Sequence, residues 1–265
     1  MNKIIQNYSE SKRENMDNAQ NNLPDSKASP EISIVIPVKD EAANIAPLVS
    51  EIMKVPYFTE RPIEIIFVDD GSADSTLDEI KKVALIHPLV VRWISFDKNH
   101  GQTAAFDAGL KAAKGAVIVT MDGDLQNDPV DLPRMIQELK GYDMVAGYRN
   151  TRRDSLMRKL SSRIGNGVRN WATGDDIIDT GCSLKVFKRK CLNRLKLYEG
   201  MHRFFPTLLK MEGFRVLQIP VNHRPRLSGK TKYGIRNRLF KSSADLLAVC
   251  WMQRRHLGYV VKDKG

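Results

Sequence analysis

From residue 31 onward, short β-branched runs alternate with segments whose apolar residues recur at helical spacing. This alternation constrains the fold more than any other feature of the chain. Ile32 to Ile36 reads as a buried strand ending at Pro37. Ala42 to Lys54 places Ile45, Leu48, Val49 and Ile52 on one helical face. Ile63 to Val68 reads as a second strand, Asp74 to Ile86 as a second helix, and Val90 to Phe96 as a third strand. Gln102 to Lys114 reads as a helix of small residues and Ala116 to Met121 as a fourth strand. Pro129 opens a helix reaching Lys140, and Met144 to Tyr148 reads as a fifth strand. The pattern predicts an α/β fold: a doubly wound, mostly parallel sheet with helices on both faces.

Ligands of such sheets bind beyond the carboxyl ends of the strands. The residues that follow each strand are therefore informative. The first strand runs into Pro37-Val-Lys-Asp-Glu41, the second into Asp69-Asp-Gly-Ser72, and the fourth into Asp122-Gly-Asp-Leu-Gln126. Acidic residues and glycines collect on one edge. Gly123 permits a tight turn, and alternate side chains of an extended segment share a side, so Asp122, Asp124 and Gln126 can converge. Oxygen ligands of this kind suit Mg2+ or Mn2+ better than zinc, and such a metal commonly also binds substrate phosphates. Asp69 and Asp70 supply two further carboxylates at a turn that also caps the next helix.

Charge divides the chain. Residues 1–145 carry a net −8 and residues 146–265 a net +19, together giving the formal +11. The basic half predicts an anionic partner. The three cysteines, Cys182, Cys191 and Cys250, fit neither a disulfide framework nor a zinc site. No apolar run approaches the roughly 20 residues of a membrane-spanning helix. The first 30 residues carry no apolar core of a secretory signal.

Residues 1–30, rich in Asn, Ser and charges, read as a flexible tail. Beyond residue 150 a basic helix is expected from Arg153 to Trp171, a strand from Phe214 to Val221, and a polar loop over Leu227 to Tyr233. A long helix from Ile235 to Arg255 carries Leu239, Phe240, Leu246, Leu247, Val249, Trp251 and Met252, bracketed by Arg236, Arg238, Lys241, Arg254 and Arg255. That composition suits a membrane-interface helix or one that docks a membrane-protein partner, and a core-packing helix resembles it. The division expected is a tail over 1–30, a catalytic domain over 31–234 and an amphipathic helix with its tail over 235–265. The domain splits into a half that carries the acidic strand ends (31–148) and a basic half (149–234).

Three segments carry a resemblance: Ile34-Val-Ile-Pro-Val-Lys-Asp-Glu41, Val68-Asp-Asp-Gly-Ser72 and Met121-Asp-Gly-Asp-Leu-Gln126. They resemble the family-two inverting glycosyltransferases of GT-A fold. Within that group the chain is most similar, over about residues 31–235, to the polyprenyl-phosphate sugar transferases, such as dolichol-phosphate mannose synthase and the bacterial undecaprenyl-phosphate enzymes. The resemblance implies that Asp69 contacts the donor's base, with Pro37, Val38 and Glu41 bordering that pocket and Asp70 and Gly123 on the donor side. It implies that Asp122, Asp124 and Gln126 hold the metal and the diphosphate. Arg149, in Val145-Ala-Gly-Tyr-Arg149, would meet the acceptor phosphate. Arg158 and Ser162 match a second acceptor-side cluster, and Asp179-Thr-Gly-Cys-Ser183 lies near the acceptor. Arg226 to Tyr233 resembles a basic loop that offers Arg226, Ser228 and Lys230. Asp124, Arg149 and Arg158 are the implied catalytic residues. The sequence departs from the family where Gly123 replaces a common Ala, where Val38-Lys39-Asp40 replaces a Tyr-Asn version, and where Cys182 replaces an aromatic. The Gln-x-x-Arg-Trp signature of processive polysaccharide synthases is absent.

The function implied is metal-dependent, inverting transfer of a sugar from a nucleotide-diphosphate sugar to a polyprenyl phosphate, with undecaprenyl phosphate favoured. It would take place on the inner, cytoplasmic face of the cell membrane, with the protein bound peripherally to an anionic surface. A membrane-protein partner or a second copy of the chain remains open. A polyprenyl phosphate is mostly dianionic at pH 7 and attacks without a general base. The alternatives are a sugar-hydroxyl acceptor, which would need a base such as Asp179, and a non-catalytic nucleotide-sugar or lipid-binding scaffold. Nucleic acid is discounted as a partner because stacking platforms and recognisable modules are lacking. A dehydrogenase is discounted because no Gly-x-Gly-x-x-Gly follows the first strand.

Overall fold

The computed structural model describes residues 29–149, 167, 169–225, 235–257 and 262–263. One seven-stranded sheet organises them, in the order β3-β2-β1-β4-β6-β5-β7. Its strands are β1 (Ile32–Val38), β2 (Ile63–Asp69), β3 (Val91–Ser95), β4 (Val117–Thr120), β5 (Met144–Arg149), β6 (Lys185–Lys188) and β7 (Val216–Val221). The first four pair in parallel, as do β5 and β7, while β6 runs antiparallel to both β4 and β5. The helices are α1 (Ala42–Met53), α2 (Pro56–Thr59), α3 (Thr76–Ile86), α4 (Gln102–Ala112), α5 (Leu132–Glu138), α6 (Phe205–Met211) and α7 (Ile235–Arg254).

Two cores cover the two faces of the sheet. On one face Ile32, Ile34, Ile36 and Val38 of β1 pack with Ile45, Leu48 and Ile52 of α1, Ile80 of α3, and Leu132 and Met135 of α5. On the other, Val35, Ile66 and Val68 meet Ala105, Phe106 and Leu110 of α4 and Phe205 and Leu209 of α6. The period-two alternation along β1 thus feeds both layers, as a sheet buried on both faces requires. Gly109 lets α4 approach closely, because a Cβ there would lie 2.4 Å from Val35 Cγ1.

The expected strand–helix order holds through β5, with helix starts and ends shifted by a few residues. The helix expected from Asp74 begins at Thr76, because Asp74 is spent on Thr76: Oδ1 accepts from its backbone N–H at 3.0 Å. The helix expected from Pro129 begins as a 3-10 turn over Pro129–Asp131 before α5 takes over. The sequence reading omitted β6, α2 and α6. Most of the basic helix expected over Arg153–Trp171 lies outside the described residues, although 169–173 are helical.

The C-terminal helix α7 lies on the domain. Val249 is fully buried against Met201, Phe204 and Leu208, with Leu246 and Met252 packed beside it. Cys250 Sγ lies 3.3 Å from the Ala172 carbonyl oxygen, and Gln253 Nε2 donates to the Thr173 carbonyl at 3.0 Å. Leu247 and Trp251 point outward, with 71% and 65% of their surface exposed. One face of the helix is therefore core: Leu246, Val249 and Met252 pack inward, while Leu247 and Trp251 face outward. Among the described residues no helix is long and apolar enough to cross a membrane.

Candidate active site

The carboxyl ends of β1, β2 and β4 lie side by side, which brings the three acidic segments to one edge. The segments after β1 and β2 are laced together. Lys39 Nζ donates to the Gly71 carbonyl at 2.9 Å, Asp40 N–H to Ser72 Oγ at 2.9 Å, and Ala73 N–H to Asp40 Oδ1 at 2.8 Å. Asp40 adopts a left-handed backbone, φ 49°, to make this exchange. Pro37 and Val38 are buried at the end of β1, and Val38 stands in register with Asp69. Glu41 caps α1, donating its N–H to Thr76 Oγ1 at 2.8 Å and accepting from Asn44 Nδ2 at 2.5 Å.

Both acids of the Asp69-Asp70 pair are buried and engaged. Asp69 Oδ1 accepts from the Ser72 N–H at 3.1 Å and from the Ser72 hydroxyl, and Oδ2 accepts from Ser95 Oγ at 3.1 Å. Asp70 Oδ1 accepts from the backbone N–H groups of His100 at 2.6 Å and Gly101 at 3.1 Å. Asp70 thereby fixes the loop that delivers α4, whose first residue Gln102 donates from Nε2 to Asp122 Oδ1 at 2.8 Å.

The turn after β4 is tight. Leu125 takes φ 63°, and Asp124 Oδ1 accepts the Gln126 N–H at 3.1 Å. Asn127 Oδ1 accepts from Asp122 N–H at 3.0 Å and from Ser183 Oγ at 2.9 Å. Gln126 Nε2 donates to the Arg224 carbonyl at 3.2 Å, which leaves the amide oxygen for a cation. Burial and then the charge of Asp124 push the Asp122 carboxyl above the ordinary range, while its hydrogen bond with Ser183 opposes the shift. The two carboxylates are close enough to repel, which a cation between them would relieve. No group of three or more His, Cys, Asp and Glu among the described residues is placed to hold a metal. Among the described residues, this turn offers two carboxylates and an amide. That set fits Mg2+ or Mn2+, which keep positions for water and substrate phosphate.

Gly123 packs against β1: a Cβ there would lie 2.5 Å from Val38 Cγ1.

Arg149 ends β5 and forms a bidentate pair with Asp179, Nε to Oδ2 at 2.7 Å and Nη2 to Oδ1 at 2.9 Å. Asp179 Oδ1 also accepts the Gly181 N–H at 3.1 Å. Burial works against the charge on Arg149, but the Asp179 hydrogen bond and charge outweigh it and raise its pKa. The structure thus joins two residues that the sequence placed separately near the acceptor. Arg158, Ser162, Arg226, Ser228 and Lys230 lie outside the described residues. Cys182 and Cys191 are buried thiols, and burial pushes Cys191 up to about 11.

Asp122 borders a cavity of about 780 Å3 between α4, the end of β4, the 180–185 segment and the 197–205 segment, with Asp245 of α7 at its margin. Three residues that sequence reasoning missed line it: Thr103, Lys185 and His202. Lys185 is 3% exposed and donates to the Cys182 carbonyl; burial pulls its pKa down. His202 Nδ1 meets Thr103 Oγ1 at 2.6 Å, and Thr103 Oγ1 accepts the Gly200 N–H at 3.0 Å. Burial, with Arg203 and Lys185 adding to it, lowers the His202 pKa to about 3, so the ring is neutral at pH 7.

A strand-end turn carrying Asp122 and Asp124, with Asp122 bordering a cavity at the carboxyl edge of a mostly parallel sheet, is the arrangement expected of a glycosyltransferase of GT-A fold, and the chain's structural neighbours share that fold. Its residues 33–195 match the model of glycosyl transferase family 2, and the chain belongs to that family. It is 38% identical over 229 residues to a dodecaprenyl-phosphate galacturonate synthase from Rhizobium johnstonii, covering 84% of this chain and 68% of the relative. It is 33% identical over 205 residues to an undecaprenyl-phosphate 4-deoxy-4-formamido-L-arabinose transferase from Aeromonas hydrophila, covering 77% of this chain and 63% of the relative. The aligned part of the chain thus spans about two thirds of the length of these curated relatives. Among solved structures, a mannosyltransferase from Pyrobaculum calidifontis in complex with GDP-Man and Mn2+ superposes with a TM-score of 0.62 at 20% identity, covering 97% of this chain and 73% of that one. A glucosyl-3-phosphoglycerate synthase from Mycobacterium tuberculosis, in complex with Mn2+, UDP and glucosyl-3-phosphoglycerate, gives 0.61 at 19%, covering 86% of this chain and 81% of that one. At such identities these structures speak for the fold alone.

Proposed function

We propose that this protein transfers a sugar, with inversion, from a nucleoside-diphosphate sugar to a polyprenyl phosphate at the cytoplasmic face of a membrane. The observation that carries this reading is the placement of Asp122 at a cavity that Lys185 also lines, with Asp124 beside it on the turn after β4. The printed activities of the two curated relatives, both polyprenyl-phosphate enzymes, support the acceptor class. Asp122, Asp124 and the Gln126 amide oxygen would hold Mg2+ or Mn2+. When bound, that cation supplies charge stabilisation for the departing diphosphate.

The chain's own residues do the positioning. The laced segments after β1 and β2, with Pro37, Val38, Glu41, Asp69 and Asp70, border the place for the nucleoside. Gln102 orients Asp122. Arg149, with Arg158 and Ser162, and with Arg226, Ser228 and Lys230 of the basic loop, would hold the acceptor phosphate against repulsion from the donor. A lipid phosphate dianion is already a nucleophile at pH 7, so positioning and charge stabilisation suffice. A sugar-hydroxyl acceptor would need a base. Both oxygens of Asp179, the residue considered for that role, already accept hydrogen bonds from Arg149 and Gly181. The test is to incubate the protein with membranes, Mg2+ or Mn2+ and a panel of labelled nucleotide sugars. Label should enter the organic phase from at least one sugar. Label that stays wholly aqueous with every sugar refutes the acceptor class.

A further inference from the structure

Lys185 begins β6 in register with Thr120 of β4, and so stands just below the turn that carries Asp122. It is a charged side chain at 3% exposure that nevertheless lines the cavity. An ammonium offers three donors. One goes to the Cys182 carbonyl, and the Phe205 ring lies 6.0 Å away. Lys185 forms no ion pair with any described residue; Asp122 and Asp179 act on it from longer range. A buried ammonium with one hydrogen bond and no anion in contact is a costly arrangement, and one that a bound anion would correct. His202 cannot share the work, because its ring is neutral. Arg203 also lines the cavity but is only half-buried; Lys185 is the fully buried cation of the cavity, on the strand next to the turn that carries Asp122.

We propose that Lys185 is a substrate-binding residue whose ammonium receives an anionic oxygen group, a phosphate or a carboxylate, of a substrate seated in this cavity. The identity of that substrate rests on the glycosyltransferase reading; the anion site itself rests on the burial and missing counter-ion of Lys185. Three sources share the chemistry: the donor's diphosphate, a carboxylate on the transferred sugar, and the acceptor's phosphate.

The test is calorimetric titration of the full chain, with Mg2+, as wild type and as Lys185→Met, which keeps the apolar stem and removes the charge. The probes are uridine and guanosine, their diphosphates, their diphospho-hexoses, UDP-glucuronate and a short-chain prenyl monophosphate. Affinity for at least one anionic probe should fall about tenfold or more, as expected for loss of a charged hydrogen bond, while the nucleosides are unaffected. Loss confined to the hexuronate assigns the sugar carboxylate. Loss confined to the prenyl phosphate assigns the acceptor, and loss across all diphosphates assigns the leaving group. Unchanged affinities for every anionic probe in a folded variant overturn the proposal, as does a wild type that binds none of them. Acetic anhydride labelling of the wild-type protein, read by mass spectrometry, needs no variant: a bound anionic probe should slow acetylation of Lys185 several-fold, and no protection by any probe overturns the site. If anion binding is lost in the variant but wild-type protein moves no label into lipid, the site stands and the transfer reading fails. The reverse pair of results removes the site and leaves the transfer.

Discussion

Asp124 serves twice within one carboxylate. Oδ1 receives the Gln126 N–H that closes the turn, and its charge acts on Asp122, the pair proposed above to hold a cation. Asp124→Asn keeps a carbonyl for that N–H but removes the charge. Transfer should fall by about 100-fold or more, as for loss of a charge-stabilising group, with the thermal midpoint nearly unchanged. Kinetics on purified protein across a Mg2+ and Mn2+ series checks this; normal turnover would reject the metal assignment. Arg149 and Asp179 belong together. Removing either partner leaves the other half-buried or buried charge unmatched, and should cost about 3–5 kcal/mol in a denaturant titration. The double variant should cost less than the two single losses combined. Gly123→Ala should also be harmful, by about 1–3 kcal/mol of overpacking against Val38. Val38→Ala in the same chain should recover part of it, a result visible in thermal midpoints.

At the level of elements, α7 separates into a docked side and an outward side. Val249→Ala should cost about 2 kcal/mol, since it empties a fully buried site between Met201, Phe204 and Leu208. Leu247→Asp with Trp251→Asp should leave stability nearly unchanged and weaken sedimentation with anionic liposomes. Equal sedimentation of that variant and wild type would assign membrane contact to another surface. Removing residues 235–265 is a poorer test, because it uncovers core. The periodic elements were legible in the sequence because long apolar runs with clean spacing admit few folds: β1, β2 and α1 fall almost on their expected bounds. β6 was illegible for a physical reason. It has four residues, and Lys185 and Lys188 flank its two apolar ones, so a buried lysine disguises a central strand as a surface loop. The same disguise hid the buried cation of the cavity. Asp122, Asp124 and Gln126 were readable because they follow a recognisable strand. Thr103 and His202 were not, because their meeting across the fold leaves no local pattern. α6 was missed because nearly every position is buried, which removes the polar side of the helical period.

For the whole molecule, His202 makes stability depend on pH. Its folded pKa of about 3 lies below the usual 6.5, so the unfolded chain binds the proton more readily. Stability from this group is full above pH 6.5 and is lost as pH falls towards 3, at up to about 1.4 kcal/mol per pH unit. Urea titrations between pH 7 and 4.5 should show that slope in wild type and its loss in His202→Gln. A wild-type slope retained by the variant would place the titrating group elsewhere. The order of the sheet has a consequence for synthesis. β1, β2, β3 and β4 pair with one another in parallel and emerge from the ribosome together, so their half of the sheet can form as soon as it is made. β5 emerges next, but its neighbours are β6 and β7, and β6 is the strand that ties it to β4. Until residues 185–188 arrive, β5 has no place in the sheet, and the hydrogen-bonding edge of β4 that β6 will pair stands open. A nascent chain stalled before β6 should therefore present a finished β1–β4 half with a sticky edge. That intermediate is where a chaperone would have most to shield.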